Sequence, residues 1–480
     1  MNMLTTLTIL WIALPFFVGF TIYLLPRLDR GLALGVALAS LAYALLIFWH
    51  RSPLTLQLLD NFGVSLLADN LSGFFILTNA LVTTAVILYC WQSGKTAFFY
   101  TQAIILHGSV NAAFVCADFI SLYVALEVIS IAAFLLIAYP RSDRSIWVAL
   151  RYLFVSNTTM LFYLVGAALV YQANHSFAFE GLMNAPPEAV ALIGLGLITK
   201  GGIFVSGLWL PLTHSEAETP VSALMSGVVV KAGIFPLVRC ALLLEEIDPI
   251  VRIFGVGTAL LGVGYAVFEK DTKRMLAFHT ISQLGFVLAA PEVGGFYALT
   301  HGLVKSSLFL TAGALPSRNF KELHDEPMQT SIWVALAIAS FSISGFPLLS
   351  GFGAKVLTMK NLLPWQVIGM NIAALGTSIS FAKFIFLPHS AQGKGTVKPG
   401  FWPAVVLLLI GLVAANGVYY NAYTLTNIVK PLATIFWGWL AYFLIFRHIS
   451  VKLPRVLEEF EHLIGVMSVM VILIFWMVMA

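Results

Sequence analysis

The chain has 480 residues, of which 60% are apolar, 13% aromatic and only 10% charged, with a net charge of +4. Soluble domains carry roughly 25% charged residues, so this composition leaves too little polar surface to clothe a water-soluble globule. It excludes a soluble enzyme, a disordered scaffold and a nucleic-acid-binding module, and points to an all-α polytopic membrane protein in a lipid bilayer.

A spanning helix needs about 20 apolar residues. Splitting the chain at charged, Pro and Gly clusters predicts spans at 4–25, 31–49, 71–92, 97–116, 118–139, 146–171, 189–210 and 220–243. The series continues with 250–268, 275–290, 295–316, 330–349, 364–387, 402–421, 430–446 and 463–479. That gives about 14 to 16 transmembrane helices, with 430–446 the weakest, short enough to be re-entrant or interfacial. No basic stretch precedes the first span, which therefore reads as a helix that stays and not as a cleaved signal. The connection 50–70 alternates apolar and polar residues and reads as a hairpin outside the membrane. Cys90, Cys116 and Cys240 are scattered, and there is no CxxC, Rossmann glycine fingerprint or P-loop. No cofactor and no redox or hydrolytic centre is expected in this chain.

Basic residues set orientation. With the N-terminus outside, sixteen of the 26 Lys and Arg face the cytoplasm, among them Lys95, Arg151, Lys273, Arg274, Arg318 and Lys452. Five face outward: Arg51, Arg239, Arg252, Lys360 and Lys430. Both termini are then outside.

The remaining five, Lys200, Lys231, Lys305, Lys355 and Lys383, fall within or beside apolar runs, as does one acid, Glu127. Charges inside a membrane are costly and are functional candidates by default. Glu127 lies about nine residues, ~13 Å, into its helix; its plainer reading is a neutral side chain hydrogen-bonded to a neighbour. Lys200 precedes Gly201-Gly202, which weaken the helix and free backbone groups beside the ammonium. Lys231 is mid-span in a helix whose start reads as Thr219 at the N-cap and Pro220 at the first helical position. His214, Glu216 and Glu218 precede it, in a loop that either collects protons or is simply solvated. His301 and Lys305 are four apart and share a helix face, while His279 lies near the start of its own span. Lys355 ends a segment broken by Gly345, Pro347, Gly351 and Gly353. Lys383, five residues from Pro388, reads as a snorkelling side chain.

Interrupted helices bearing a lysine thus recur five spans apart, in the seventh and the twelfth. Two consecutive five-helix units follow, and an odd number of spans inverts the second relative to the first. Paired interruptions of this kind point to inverted-repeat transporters with midplane sites. The expected organisation is an N-terminal three-helix segment (1–96), a first repeat (97–243), an inverted second repeat (244–388) and C-terminal helices (389–480) that read as a docking segment.

The segments WLPLTHSEAETPVSALMSGVVVKAGIFPLVR, DTKRMLAFHTISQLGFVLAA, HGLVKSSLFLTAGAL and GFPLLSGFGAK, in this order, resemble the proton-conducting antiporter-like membrane subunits. These comprise the D-type component of Mrp-type Na⁺/H⁺ antiporters, the M and N components of complex I, and membrane-bound hydrogenase relatives. The resemblance covers roughly residues 70–420. It implies proton translocation along an axis of Glu127, Lys200, Lys231, His301, Lys305 and Lys355, with other membrane subunits as partners, protons as cargo and Na⁺ as a candidate coupling ion. It also implies a prokaryotic plasma or thylakoid membrane. The sequence departs from the family's LPDAH at Leu210-Pro211-Leu212-Thr213-His214, which lacks the Asp. Lys at 355 disfavours the complex I type carrying Glu there. The reading is a proton-translocating Mrp-type subunit; the alternative is a proton-pumping subunit of an NAD(P)H–quinone oxidoreductase or hydrogenase complex.

Overall fold

The computed structural model describes residues 3–59, 62–449, 451 and 453–479; Lys452, counted above among the cytoplasmic cations, lies outside the described residues. Each apolar stretch carries a helix. α1 (Met3–Leu24) and α2 (Asp29–His50) lead into an antiparallel pair, β1 (Leu54–Leu59) and β2 (Gly63–Ala68), with Leu54 opposite Ala68. Next come α3 (Asn70–Cys90), α4 (Ala97–Ala113), α5 (Phe119–Ile137) and α6 (Asp143–Asn174). The seventh stretch is split into α7 (Pro187–Gly201) and α8 (Leu210–Glu216), and the eighth into α9 (Thr219–Leu224) and α10 (Lys231–Leu243). α11 (Asp248–Phe268), α12 (Thr272–Ala289), α13 (Gly294–Ala312) and the short α14 (Phe320–Asp325) follow. The twelfth stretch is α15 (Thr330–Ser344) and α16 (Ser350–Lys360), and α17 (Val367–Ile385), α18 (Phe401–Val418), α19 (Leu425–Ala441) and α20 (Phe460–Met479) complete the fold.

Among the described residues, twelve helices are long and apolar enough to cross a membrane, or thirteen if α12 and α13, bent by 106°, form one span. α4 has 17 residues, and α15 stops after 15 at its break. The chain is a multi-pass integral membrane protein. Several of its helices start where a short polar side chain satisfies the first free N–H groups. Asp69 accepts from the Ser72 N–H (3.0 Å), Asp118 from Ser121 (2.7 Å), Ser142 from Ser145 (3.1 Å) and Asp271 from Arg274 (2.9 Å). Asp118 also accepts from the Ser65 N–H (2.8 Å), which pins the hairpin over α5.

Between helices in a bilayer there is little hydrophobic driving force, so small residues that let backbones approach carry the packing. α11 and α12 show this: Gly255, Gly262 and Gly285 each lie against the opposite helix's backbone, with no room for a Cβ.

Charges collect at two ends of the bundle. At one end Lys95 pairs with Glu218 (2.5 Å), Arg144 with Glu216 (3.6 Å), Arg318 with Asp271 (2.8 Å), and Arg274 with Glu269 (3.1 Å) and Glu458 (2.6 Å). At the other, Arg239 pairs with Asp69, and Arg252 with Asp248 (2.7 Å) and Glu292. Burial alone would raise the Glu269 carboxyl, but Arg274 and the N–H groups of Asp271 and Lys270 hold it below its ordinary value. Asp69 is likewise held down against burial by Arg239 and Ser72.

Several expectations change. Glu218, not Thr219, is the residue before the ninth helix, with its side chain on Lys95 and not on the helix end. Thr219 packs against Gly313 instead. Gly351 and Gly353 lie inside α16, so the break spans only Gly345–Leu349. The weak stretch 430–446 begins earlier, at Leu425, and its helical run of 22 residues reaches Phe446. Arg151 is buried on α6, with Nε and one terminal nitrogen unpartnered, and is not a surface cation. α20 packs on α6 and α7, and α19 on α17, with only four residues of α20 and two of α19 buried.

Candidate functional site

The break after Lys200 has a simple local cause. Gly202 is left-handed (φ 69°) and its N–H closes on Ile198 and Thr199 carbonyls, ending α7. Such a conformation strains any residue with a Cβ. Lys200, 3% exposed, is held there on the last turn. Its Nζ donates to Ser130 Oγ and to Ser156 Oγ (2.8 Å), and the two hydroxyls are 3.0 Å apart. Glu127 lies on the same helix as Ser130, three residues earlier, so the two share a face. Glu127 is half-buried, has an unpartnered Oε1 and makes no ion pair with Lys200. The ammonium thus donates to two serine hydroxyls, one of them a turn from Glu127 on the same helix.

Lys231, fully buried, follows a π turn over Met225–Val229. That turn moves the Val230 N–H onto the Met225 carbonyl (3.2 Å), and the Ser226 carbonyl accepts from Lys231 Nζ (3.1 Å). The same Nζ lies 3.2 Å from His301 Nδ1 on α13. His301 Nε2 has no partner.

Lys305 is one turn beyond His301 and reaches a different helix. Its Nζ donates to the Leu276 carbonyl on α12 and lies 5.1 Å from the centre of the Phe309 ring. His214 stacks on that ring at 4.8 Å with both nitrogens unpartnered. His214 therefore sits inside the bundle and not in a solvated loop. His279, also without partners, packs on Phe381 at 4.6 Å.

Lys355 lies on the far side of the second break, where Gly345 is left-handed (φ 89°) and its N–H closes on Phe341 and Ser342 carbonyls. The Lys355 side chain folds back so that a Cβ on Gly345 would lie 3.0 Å from its Cδ. Its Nζ is unpartnered and 5.5 Å from the Phe286 ring centre. Lys383 donates to the carbonyls of Ala266 (3.2 Å) and Glu269 (2.9 Å), neutralising the end of α11.

These helices touch in sequence. α5 meets α7 through Ser130 and Lys200, and α7 meets α10 where Gly201 and Gly233 leave no room for a side chain. α10 meets α13 through Lys231 and His301, α13 meets α12 through Lys305, and α12 places Phe286 under Lys355 on α16. The structure brings all six singled-out residues onto this one series of helices. It adds Ser130, Ser156 and the Ser226 and Leu276 carbonyls. The i, i+3 spacing of Ser130 from Glu127 is a signal the sequence offers; the two carbonyls have none. A second buried polar cluster, Ser40, Asn79, Thr83, His107 and Asn111, joins α2, α3 and α4. Its members bond to one another, which suits a packing role. Among the described residues no group of His, Cys, Asp and Glu is placed to hold a metal.

Residues 116–380 match the family described as NADH:quinone oxidoreductase/Mrp antiporter, TM. The chain is 28% identical over 395 residues to the D component of the Na(+)/H(+) antiporter of Alkalihalophilus pseudofirmus, covering 73% of this chain and 80% of that one. It is 29% identical over 447 residues to the N component of the NADH-quinone oxidoreductase of Desulforudis audaxviator, covering 82% and 88%. A chain of the Mrp complex from Dietzia sp. DQ12-45-1b has the same fold, with a TM-score of 0.74 at 20% identity, over 97% of this chain and all of that one. A chain of the membrane-bound sulfane sulfur reductase, an archaeal respiratory membrane complex, aligns with a TM-score of 0.77 at 22% identity, over 90% of this chain and 98% of that one. The family match spans more than half of the sequence and includes every buried lysine among the described residues: the chain belongs to the NADH:quinone oxidoreductase/Mrp antiporter transmembrane family.

Proposed function

We propose that this chain is the proton-translocating subunit of a multisubunit cation/proton antiporter of the Mrp type. The observation that carries this reading is the series of buried amines, each beside an interrupted helix, a hydroxyl or a backbone carbonyl. Lys200, Lys231, Lys305 and Lys355 are bases without an adjacent counter-charge, so each is able to take and give one proton. In a low-dielectric interior a carboxylate brought close to an amine favours its protonated form, and its withdrawal favours release. Glu127 is placed to act in this way on Lys200, while Ser130 and Ser156 accept hydrogen bonds from the ammonium. The proton then passes to Lys231 and His301, to Lys305, and to Lys355, which releases it at the end of the bundle carrying Lys360. The basic-residue distribution supports the Lys360 end as the outside, both termini with it, in a prokaryotic membrane. Na⁺ would move through partner subunits.

The two interrupted lysine-bearing helices, each stopped by a left-handed Gly, support two inverted five-helix repeats over 97–243 and 244–388. Relatives named as subunits of antiporters and of NADH-quinone oxidoreductases support other membrane subunits as partners. The near-equal identity to an oxidoreductase component favours one alternative, a proton-pumping subunit of a redox-driven complex. Co-purification separates the two: antiporter subunits favour the first reading, and flavin or iron–sulfur proteins the second. In vesicles containing the whole complex, Glu127→Ala or Lys200→Ala should abolish proton translocation while every subunit still co-purifies. Normal translocation in either variant would sink the scheme.

A further inference from the structure

A cavity of about 200 Å³ lies between α16, α17 and α19. It is found at the end of the bundle where α16 finishes and α17 and α19 begin. Three lysines line it, Lys355, Lys360 and Lys430, and no carboxylate does. Lys360 and Lys430 are exposed, whereas Lys355 is 6% exposed with its Nζ unpartnered. None of the three forms an ion pair among the described residues. Ser344, Asn371, Asn427 and Thr434 supply the neutral polar lining.

Lys355 is buried with no counter-charge, which is costly away from water, and the exposed Lys360 and Lys430 add two like charges at the rim of the same cavity. An anion removes that cost. The surface beside the cavity continues as exposed apolar side chains, Ile368 and Ile372 on α17 and Val429 and Phe436 on α19. A ligand fitting both features has an anionic head and an apolar tail. α19 lies beyond the residues matched to the family, so one wall of this cavity is built by the C-terminal segment.

We propose that the cavity binds the phosphate of an acidic phospholipid, with Lys360 and Lys430 at the headgroup and the acyl chains along α17 and α19. The proposal stands whether or not Lys355 moves protons, because its readout is binding. The full chain would be placed in nanodiscs of phosphatidylcholine with or without phosphatidylglycerol, and retained lipid counted by native mass spectrometry after mild delipidation. Phosphatidylglycerol should be retained preferentially. Lys360→Gln with Lys430→Gln, both exposed and so tolerated by the fold, should weaken that retention about 30-fold and leave phosphatidylcholine unchanged. Inorganic phosphate alone should neither bind measurably nor displace the lipid. Equal retention of the two lipids, unchanged retention in the double variant, or binding of inorganic phosphate in place of the lipid would each overturn the proposal. A melting-temperature match between the variant and the parent in phosphatidylcholine confirms that the fold is intact.

Discussion

In the first interrupted helix the chain reaches Lys200 two residues before Gly202, and the ammonium is met at once by the hydroxyls of Ser130 and Ser156. In the second the chain passes Gly345 first, and Lys355, ten residues on, bends back to the break and finds no partner. Both breaks use the same device, a left-handed glycine closing the last turn. What differs is what the break faces. The first faces two packed helices bearing hydroxyls, whereas the second faces a cavity open between α17 and α19. A broken helix creates room for a buried lysine; the neighbours decide whether its proton is held by the protein or left for solvent or an anion to take.

The sharpest way to break this comparison is to remove each amine. Lys200→Ala and Lys355→Ala should each reduce proton translocation about 100-fold or more, the scale of a lost proton-transfer group, measured by pH-sensitive dye in vesicles holding the complex. Retained transport in Lys355→Ala alone would mean that the two breaks do not serve one path. Hydroxyl removal should cost less and only on one side. Ser130→Ala combined with Ser156→Ala strips two hydrogen bonds from a charged group, roughly 1.5–3 kcal/mol each at most, and should slow translocation about tenfold. Ser344→Ala, beside the Lys355 cavity, should leave it near the parental rate. An equal effect in both would erase the distinction.

Smaller effects separate the glycines. Gly202→Ala and Gly345→Ala force a Cβ into a left-handed backbone, costing about 1–2 kcal/mol. Gly202→Ala should lower the melting temperature further, because its Cβ would collide with Leu210 while that of Gly345 meets only the flexible Lys355 chain. Least in size is the response to acid at the two charged ends. Asp69 and Glu269 are held below the ordinary carboxylate range by Arg239 and Arg274. Their contribution is therefore present above that range and is lost as pH falls through the lowered folded values. Melting temperature should stay flat from neutral pH to about 5 and fall below it. Asp69→Asn and Glu269→Gln should shrink the acid-side slope.

Much of the molecule is legible in the sequence because a bilayer leaves few places for charge. Apolar runs of about twenty residues mark where the helices lie, and the scarcity of interior ions exposes Glu127, Lys200, Lys231, His301, Lys305 and Lys355. What escapes such reading is neutral. Ser156 looks like an ordinary small residue of a membrane helix until Lys200 is placed beside it, and Ser130 is marked only by its spacing from Glu127. The Ser226 and Leu276 carbonyls belong to the backbone, and no side-chain pattern marks them. His214 is hidden for a related reason: the polar run Thr213–Thr219 resembles a loop, yet α8 carries His214 into the bundle, where Phe309 covers it. Lys383 has the sequence surroundings of a snorkelling cation, and the structure makes it a cap on α11.

The π turn before Lys231 has a consequence for the hydrogen-bond ladder. It accommodates one residue more than the surrounding hydrogen-bond ladder counts, and each helical residue is worth roughly 100° of rotation. Because the π turn spreads that extra residue over a single wider turn, deleting one residue from Met225–Val229 would let the ladder close as an α turn and leave Lys231 facing His301 at nearly the same azimuth. The surplus residue thus works on the ladder and not on the phase: the Val230 N–H goes to Met225, and the Ser226 carbonyl accepts from the Lys231 ammonium.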